Sequence, residues 1–181
     1  MKAGEDQTQK KIPFKQMDIF RKTNMGQRYI LNREDYIFNN NFKNALVLKK
    51  VLSLNEADSF VKLQTQIASE IEESIHILTV ANLIIDSQLR APGLVLCLAH
   101  EDSKLVGYGY GYLDQDKETF YLDTIGVAEE IRNRKVGTEI IAKLIWHAFD
   151  DSKVRRIKAV TQTNNEKTIH IIKKMGFKLD S

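Results

Sequence analysis

The sequence predicts an α/β (α+β) protein with one main domain. Three observations carry that prediction. Apolar runs of strand character alternate with amphipathic helical patterns, in the order strand, two helices, three strands, helix, strand, helix, strand. A length of 181 residues suits one domain with a full core. Charged residues at 28% and hydrophobic residues at 43% are ordinary for a globular chain.

Residues 1–43 read as an N-terminal extension without assigned structure. Its first eleven residues are polar, with no apolar stretch of the kind that marks a secretory signal. From Ile12 to Lys43 aromatics mix with charge and many Asn. The remainder, 44–181, reads as the domain. Ala45 to Leu52 has strand character. Ser53-Leu54-Asn55-Glu56 is a capping box, in which Ser and Glu each satisfy a backbone donor at a helix start. Ala57, Phe60, Val61 and Ile67 then recur at helical spacing. A second helical pattern (Ile71, Ile75, Leu78, Ile85, Leu89) ends before Pro92 and Gly93.

Leu94 to Ala99 is continuously apolar, a buried strand. Leu105 to Leu113 alternates Gly and Tyr, which puts Tyr108, Tyr110 and Tyr112 on one face of a strand and a glycine groove on the other. Asp114 to Glu118 supplies a turn, and Phe120 to Val127 the partner strand. Val136 to Phe149 is an amphipathic helix and Arg156 to Gln162 a strand. Asn165 to Met175 is a short helix, with Gly176 as its cap before Phe177 opens a last strand.

Chemistry concentrates in Val127 to Thr138, V-A-E-E-I-R-N-R-K-V-G-T. A basic turn there joins a strand to a helix N-terminus. Arg132, Arg134 and Lys135 surround backbone N–H groups that have no intrahelical partner, and Gly137 allows close approach. A pyrophosphate needs this combination. The plain alternative is a solvated turn before an ordinary helix.

A second motif separates the two. The chain resembles the GNAT superfamily of N-acetyltransferases. Its acetyl-CoA signature V-x-P-x-x-R-x-x-G-x-G/A is matched here by Val127, Arg132 and Gly137. Its later motif N-x-x-A-x-x-x-Y-x-K-x-G-F is matched by Asn165, Lys174, Gly176 and Phe177. The match is strong from Leu105 to Phe177. Departures are Glu129 for Pro, Lys135 for the first Gly, Thr168 for Ala, and Ile172 for the Tyr often credited with protonating the leaving thiolate. Lys135 is tolerable there if its φ is negative. The family usually has one more strand, so either the chain continues past Ser181 or the N-terminal segment fills that place.

The resemblance implies a mixed, mostly antiparallel sheet with helices on both faces. It also implies a splayed parallel pair, Phe120 to Val127 and Arg156 to Gln162, at the acetyl-CoA site. Acetyl-CoA is the expected co-substrate. Ile125, Val127, Arg132, Asn133, Arg134, Lys135, Val136, Gly137, Thr138, Asn165, Ile172 and Lys174 are the expected binding residues, and the Val127 N–H is the oxyanion donor. Period two along that strand places Ile125, Asp123 and Tyr121 on the face of Val127. Asp123 is the only carboxylate among them and the candidate base for an amine whose pKa lies near 10; the plain alternative is a strand-end residue salt-bridged to a neighbour. The family's Glu falls at Tyr121, which with the Tyr108–Tyr112 row is a candidate proton donor. His170 points away from position 172, since two helical residues lie about 200° apart.

The function expected is transfer of an acetyl group to a primary amine of a small molecule. The alternatives are a protein acetyltransferase and a non-catalytic acyl-CoA-binding domain. Glu70, Glu72 and Glu73 would suit a cationic acceptor. A net charge of +3 does not argue for nucleic acid. No apolar run reaches membrane-span length, and no His, Cys or carboxylate spacing indicates a metal. The lone Cys97 lies in an apolar run and reads as a core residue. A cytoplasmic monomer or homodimer is expected.

Overall fold

The computed structural model describes residues 26–37, 41–69 and 93–180. The second helical pattern after Ile71 and the acidic residues Glu70, Glu72 and Glu73 lie outside them. Within them the elements are β1 (Gly26–Asn32), β2 (Ala45–Lys49), α1 (Leu54–Ser69), β3 (Leu94–Glu101) and β4 (Lys104–Leu113). There follow β5 (Thr119–Val127), α2 (Val136–Asp150), β6 (Arg156–Gln162), α3 (Glu166–Lys174) and β7 (Lys178–Leu179).

The strands form one seven-stranded sheet in the order β2-β3-β4-β5-β6-β1-β7. Only β5 and β6 run parallel; every other neighbouring pair is antiparallel. A parallel pair needs a crossover, and α2 is that crossover. The expected mixed sheet is therefore present, with α1 on one face and α2 on the other.

The Gly–Tyr alternation in β4 sorts these two layers. Tyr108, Tyr110 and Tyr112 are buried on the α1 side, where the Phe60 ring meets Tyr108 edge-on at 4.8 Å. The glycines face α2. A Cβ on Gly109 would stand 2.5 Å from Ile140 Cγ2, and one on Gly107 3.1 Å from Ile140 Cδ1. The expected glycine groove is thus filled by the helix. Val136, Ile140 and Leu144 sink into it and are buried.

The capping box forms as expected. The Glu56 carboxylate accepts from the Ser53 N–H at 2.9 Å, and the Ser53 hydroxyl accepts from the Glu56 N–H at 3.4 Å. The hairpin turn closes with Asp114 N–H to Thr119 C=O at 2.8 Å.

Of the two alternatives left open for a further strand, the N-terminal stretch supplies one within the sheet. Residues 26–32 form β1, which lies inside the sheet, antiparallel to both β6 and β7. Tyr29 and Leu31 are buried while their neighbours stay accessible, an alternation too short to stand out among the surrounding charges. The described residues that follow are tied to both ends of α2. The Arg33 guanidinium donates to the carbonyls of Asp151 and Val154, each at 2.9 Å, and of Phe149, which suits a cation at a helix C-terminus. At the other end the Glu139 carboxylate accepts from the N–H groups of Lys43 (3.0 Å) and Asn44 (2.9 Å).

Candidate functional site

Strands β5 and β6 begin as neighbours and then part. Their parallel ladder runs from Thr119↔Arg156 to Leu122↔Ala159 and stops. Beyond it β6 stays with β1 as far as Gly26↔Gln162, while β5 stays with β4 as far as Gly107↔Val127. A gap opens between them.

The backbone edge of β5 facing this gap follows from the strand's own alternation. The Ala128 N–H donates to the Val106 carbonyl of β4 at 2.9 Å. Successive peptide groups of a strand point to opposite sides, so the N–H and C=O groups of Val127 and Ile125 point the other way, toward the gap. Their side chains pack toward α2: a Cβ on Gly109 would meet Ile125 at 2.9 Å, and one on Gly137 would meet Val127 at 3.4 Å.

The same strand carries a bulge. Tyr110 pairs with Thr124 and Gly111 with Leu122, so Asp123 is the extra residue. This overturns the expected common face of Tyr121, Asp123, Ile125 and Val127. One inserted residue reverses the alternation. Tyr121 lies on the tyrosine face, stacked on Tyr112 at 5.5 Å with planes 22° apart. Asp123 accepts from the Thr124 hydroxyl at 3.0 Å and lies in polar contact with Tyr110. The bulge and the end of the parallel ladder coincide, so Asp123 stands where the gap opens.

From Val127 the chain passes through a 3-10 turn, Glu129–Ile131, pinned by the buried Ile131. The Lys104–Glu130 ion pair (3.0 Å) ties it to the β3–β4 hairpin. Asn133 and Lys135 have φ of 68° and 66°, left-handed values. The condition on which lysine would be tolerable at position 135, a negative φ, is thus not met. The chain keeps the conformation that suits glycine, at a cost of about 1 kcal/mol, and leaves the lysine side chain in solvent.

Helix α2 follows with no side-chain cap. Its first intrahelical bond is Glu139 N–H to Lys135 C=O at 3.0 Å, so the amides of Val136, Gly137 and Thr138 precede the ladder. The three expected cations are not equivalent. Arg134 forks the Glu101 carboxylate and is committed to that pair. Arg132 stays on the turn, its Nε donating to the Val127 carbonyl at 3.3 Å. Gly137 differs from the sheet glycines, because a Cβ there would meet only ordinary contact, 3.4 Å from Val127. Packing among the described residues does not require glycine at this position.

Beside Thr138 lies a cavity of about 370 Å³. Tyr36, Phe42, Thr138, Glu139, Ala142 and Lys174 are among its walls, so two expected binding residues from different helices share it. Asn165 is the N-cap of α3, its Oδ1 accepting from the Thr168 N–H at 3.2 Å. Ile172 is 1% exposed. It lies in the apolar core and presents no surface to the gap, which corrects its placement among the groups lining the cofactor channel. His170 is exposed on α3.

Burial separates the tyrosines as proton donors. It pushes the Tyr108 hydroxyl up to about 12 and the Tyr110 hydroxyl well above its ordinary value. Tyr121 is only half-buried. Burial also pushes the Cys97 thiol to about 12, which keeps it protonated as a core group. Among the described residues no group of three or more His, Cys or carboxylate side chains could hold a metal. No helix among them is long and apolar enough to cross a membrane.

Sequence reasoning missed Thr124, the bulge and the Glu101 partner of Arg134. The adjacent polar pair Asp123-Thr124 inside an apolar strand was the available signal for the bulge.

A family model described as acetyltransferase (GNAT) family matches residues 48–177. No protein of curated function matches the sequence. Solved structures do. One is a tandem GNAT protein of the clavulanic acid biosynthesis pathway, at 15% identity and a TM-score of 0.64. The match covers 87% of this chain and 51% of that one, so the chain spans about half its length. A GNAT acetyltransferase of Streptococcus pneumoniae is 20% identical with a TM-score of 0.62, covering 76% of this chain and 87% of that one. AAC(6')-Iy, solved with the bisubstrate analog CoA-S-monomethyl-acetylneamine, is 16% identical with a TM-score of 0.55, covering 74% of this chain and 91% of that one. At these identities the likeness concerns the fold.

Proposed function

Since the chain belongs to the GNAT family of acetyltransferases, we propose that it moves an acetyl group from acetyl-CoA to a primary amine of a small molecule, by direct attack in a ternary complex. The observation that carries this reading is the run of backbone N–H groups outside any ladder, from Ile125 and Val127 on the open edge of β5 to Val136, Gly137 and Thr138 at the uncapped start of α2. A long acyl-thioester carrier with a pyrophosphate near one end is a ligand of matching shape and charge. Gly137 supports the fit. Glycine in a helix costs up to about 1 kcal/mol relative to alanine, and packing gives nothing in return here, so its smallness serves a group from outside the chain.

In this reading the amides of Gly137 and Thr138, with Arg132 and Lys135 alongside, hold the pyrophosphate. Asn133 and Val136 complete the turn, while Arg134 braces it against Glu101. The backbone of Ile125 and Val127 pairs with the pantetheine arm, and the Val127 N–H donates to the acyl oxygen as negative charge builds there. Thr138 and Lys174 face the nucleotide end, and Asn165 reaches the carrier from the start of α3. Asp123 accepts the proton of the incoming amine, directly or through water. The nitrogen–carbon bond forms as the carbon–sulfur bond breaks. Tyr121 is the accessible donor for the departing thiolate, which also leaves tolerably unaided because a thiol has a pKa near 8.5. An aminoglycoside-type analog in the AAC(6')-Iy structure supports a small-molecule amine as acceptor.

Calorimetry with CoA tests the binding half, and free-thiol release from acetyl-CoA with a panel of amines that includes neamine tests the transfer. Absence of CoA binding would overturn the whole reading. CoA binding without transfer to any amine would favour a non-catalytic acyl-CoA-binding domain.

A further inference from the structure

We propose that Tyr110 and Thr124 are positioning residues for Asp123, fixing its carboxylate where the gap between β5 and β6 opens. The inference rests on the reading of Asp123 as the base. A bulged residue has no cross-strand partner opposite it, and its side chain needs another restraint to hold one direction. Here the restraint is built from the two residues beside the bulge. Thr124 adjoins Asp123 in sequence and donates to its Oδ1 at 3.0 Å. Tyr110 is the direct cross-strand partner of Thr124. Its ring is 1% exposed, and its hydroxyl is in polar contact with both Thr124 and Asp123.

The burial of Tyr110 makes this arrangement obligatory. A buried phenol hydroxyl needs a partner, and the surroundings offer few. From α1 the buried residues are Phe60, Leu63, Gln64 and Ile67, none of them charged. Gln64 lies beside the Tyr108 hydroxyl, yet neither of its polar side-chain atoms makes a hydrogen bond of good geometry. Among the described residues, the titratable groups of this sheet face include Tyr108, Tyr110 and Tyr112 on β4, Tyr121 and Asp123 on β5, Arg156 and Lys158 on β6, Arg28 on β1, and Lys49 on β2, which lies in register with Tyr110 through Leu96 and is paired with Glu56 of α1. Lys158 is paired with Asp180 at 3.2 Å. Among the described residues, Asp123 is the carboxylate in contact with Tyr110, and the two order each other. Donors to a carboxylate favour its charged form, so the same contacts keep Asp123 ready to accept a proton.

Carbon-13 NMR titration of the aspartate carboxylates in the full chain tests this without an acceptor. Asp123→Asn assigns the resonance by its loss. Tyr110→Phe keeps the ring and removes the hydroxyl; Thr124→Val removes the other donor at equal size, and Thr124→Ser restores it. We expect Tyr110→Phe and Thr124→Val each to raise the Asp123 pKa by about half a unit or more, with Thr124→Ser near wild type and CoA affinity unchanged throughout. An Asp123 pKa indifferent to both substitutions would overturn the positioning role. The base reading fails separately: if Asp123→Asn transfers acetyl groups to a turned-over panel amine at the wild-type rate, Asp123 is not the base, whatever its titration shows.

Discussion

The N-termini of α2 and α3 flank the same gap and are built in opposite ways. Helix α3 starts from Asn165, whose side chain caps the Thr168 amide. Helix α1 starts from a reciprocal Ser53–Glu56 box. Helix α2 starts from a left-handed lysine with no side-chain cap. A capped end has spent its donors within the chain, whereas an uncapped one keeps them for water or a ligand. Gly137 extends the contrast: β4 needs its glycines so that α2 can approach, and α2 has no such need at Gly137. The difference teaches that, among the described α-helices, α2 alone begins without a side-chain cap, which is the feature the proposed carrier site depends on.

The hardest test of that contrast is to fill the open end. Gly137→Glu puts bulk and negative charge at the amides of α2. It should weaken CoA binding at least about tenfold with little loss of melting temperature, because the Cβ has room. Arg132→Ala should cost about tenfold through the lost charge-assisted contact. Wild-type affinity in both variants would remove the α2 turn from the binding site.

Next in size is a test of whether α3 offers the gap a side chain at position 172. Ile172 is buried, so Ile172→Tyr should overpack the core and destabilise by about 1–3 kcal/mol, read by chemical denaturation. A tyrosine accepted without loss, with raised turnover at low pH, would mean that position 172 does face the reacting thiol.

Lys135→Gly comes next, and its sign is the informative part. A residue at φ 66° is strained unless it is glycine, so the change should stabilise by about 1 kcal/mol and leave CoA binding within a few-fold. Lost stability would mean that the lysine side chain makes a contact that matters to the fold.

Asn165→Ala should have a similar magnitude and the opposite sign, destabilising by about 1 kcal/mol as a lost cap. The CoA titration decides whether the cap is all there is. A lower melting temperature with unchanged affinity confines Asn165 to α3; weaker binding in addition makes it part of the carrier site.

How much of this was legible in the sequence depended on how far each signal travels along the chain. Arg156 to Gln162 reads as a strand with the boundaries it has, because its alternation is local. The capping box is likewise written in four adjacent residues. By contrast, β1 needs partners far along the chain before Tyr29 and Leu31 have anything to pack against. The bulge at Asp123 is a mismatch between two strands, so alternation along one strand assigned Tyr121 to the wrong face. The partner of Arg134 escaped for the same reason. The charge of Arg134 is local, while its partner Glu101 lies across the hairpin.

The smallest effect concerns α1, the helix whose cap is charged. Glu56 accepts from the Ser53 N–H and hydroxyl and pairs with Lys49 at 3.0 Å. The Ser53 backbone bond leads these contacts in holding its carboxyl down at about 2, below the ordinary 4.5. A depressed folded-state value means that the stabilisation is fully present above the unfolded value and disappears as pH falls through the folded one. The window therefore runs from 4.5 down to about 2. The side chain remains 25% exposed, so solvent screening keeps the contribution small and salt should reduce it further. Melting temperature should fall less steeply across that window in Glu56→Gln than in wild type, most visibly at low salt. CoA affinity at neutral pH should not change, because α1 makes its cap from its own side chains. Equal slopes in the two proteins would show that the box stabilises through geometry alone.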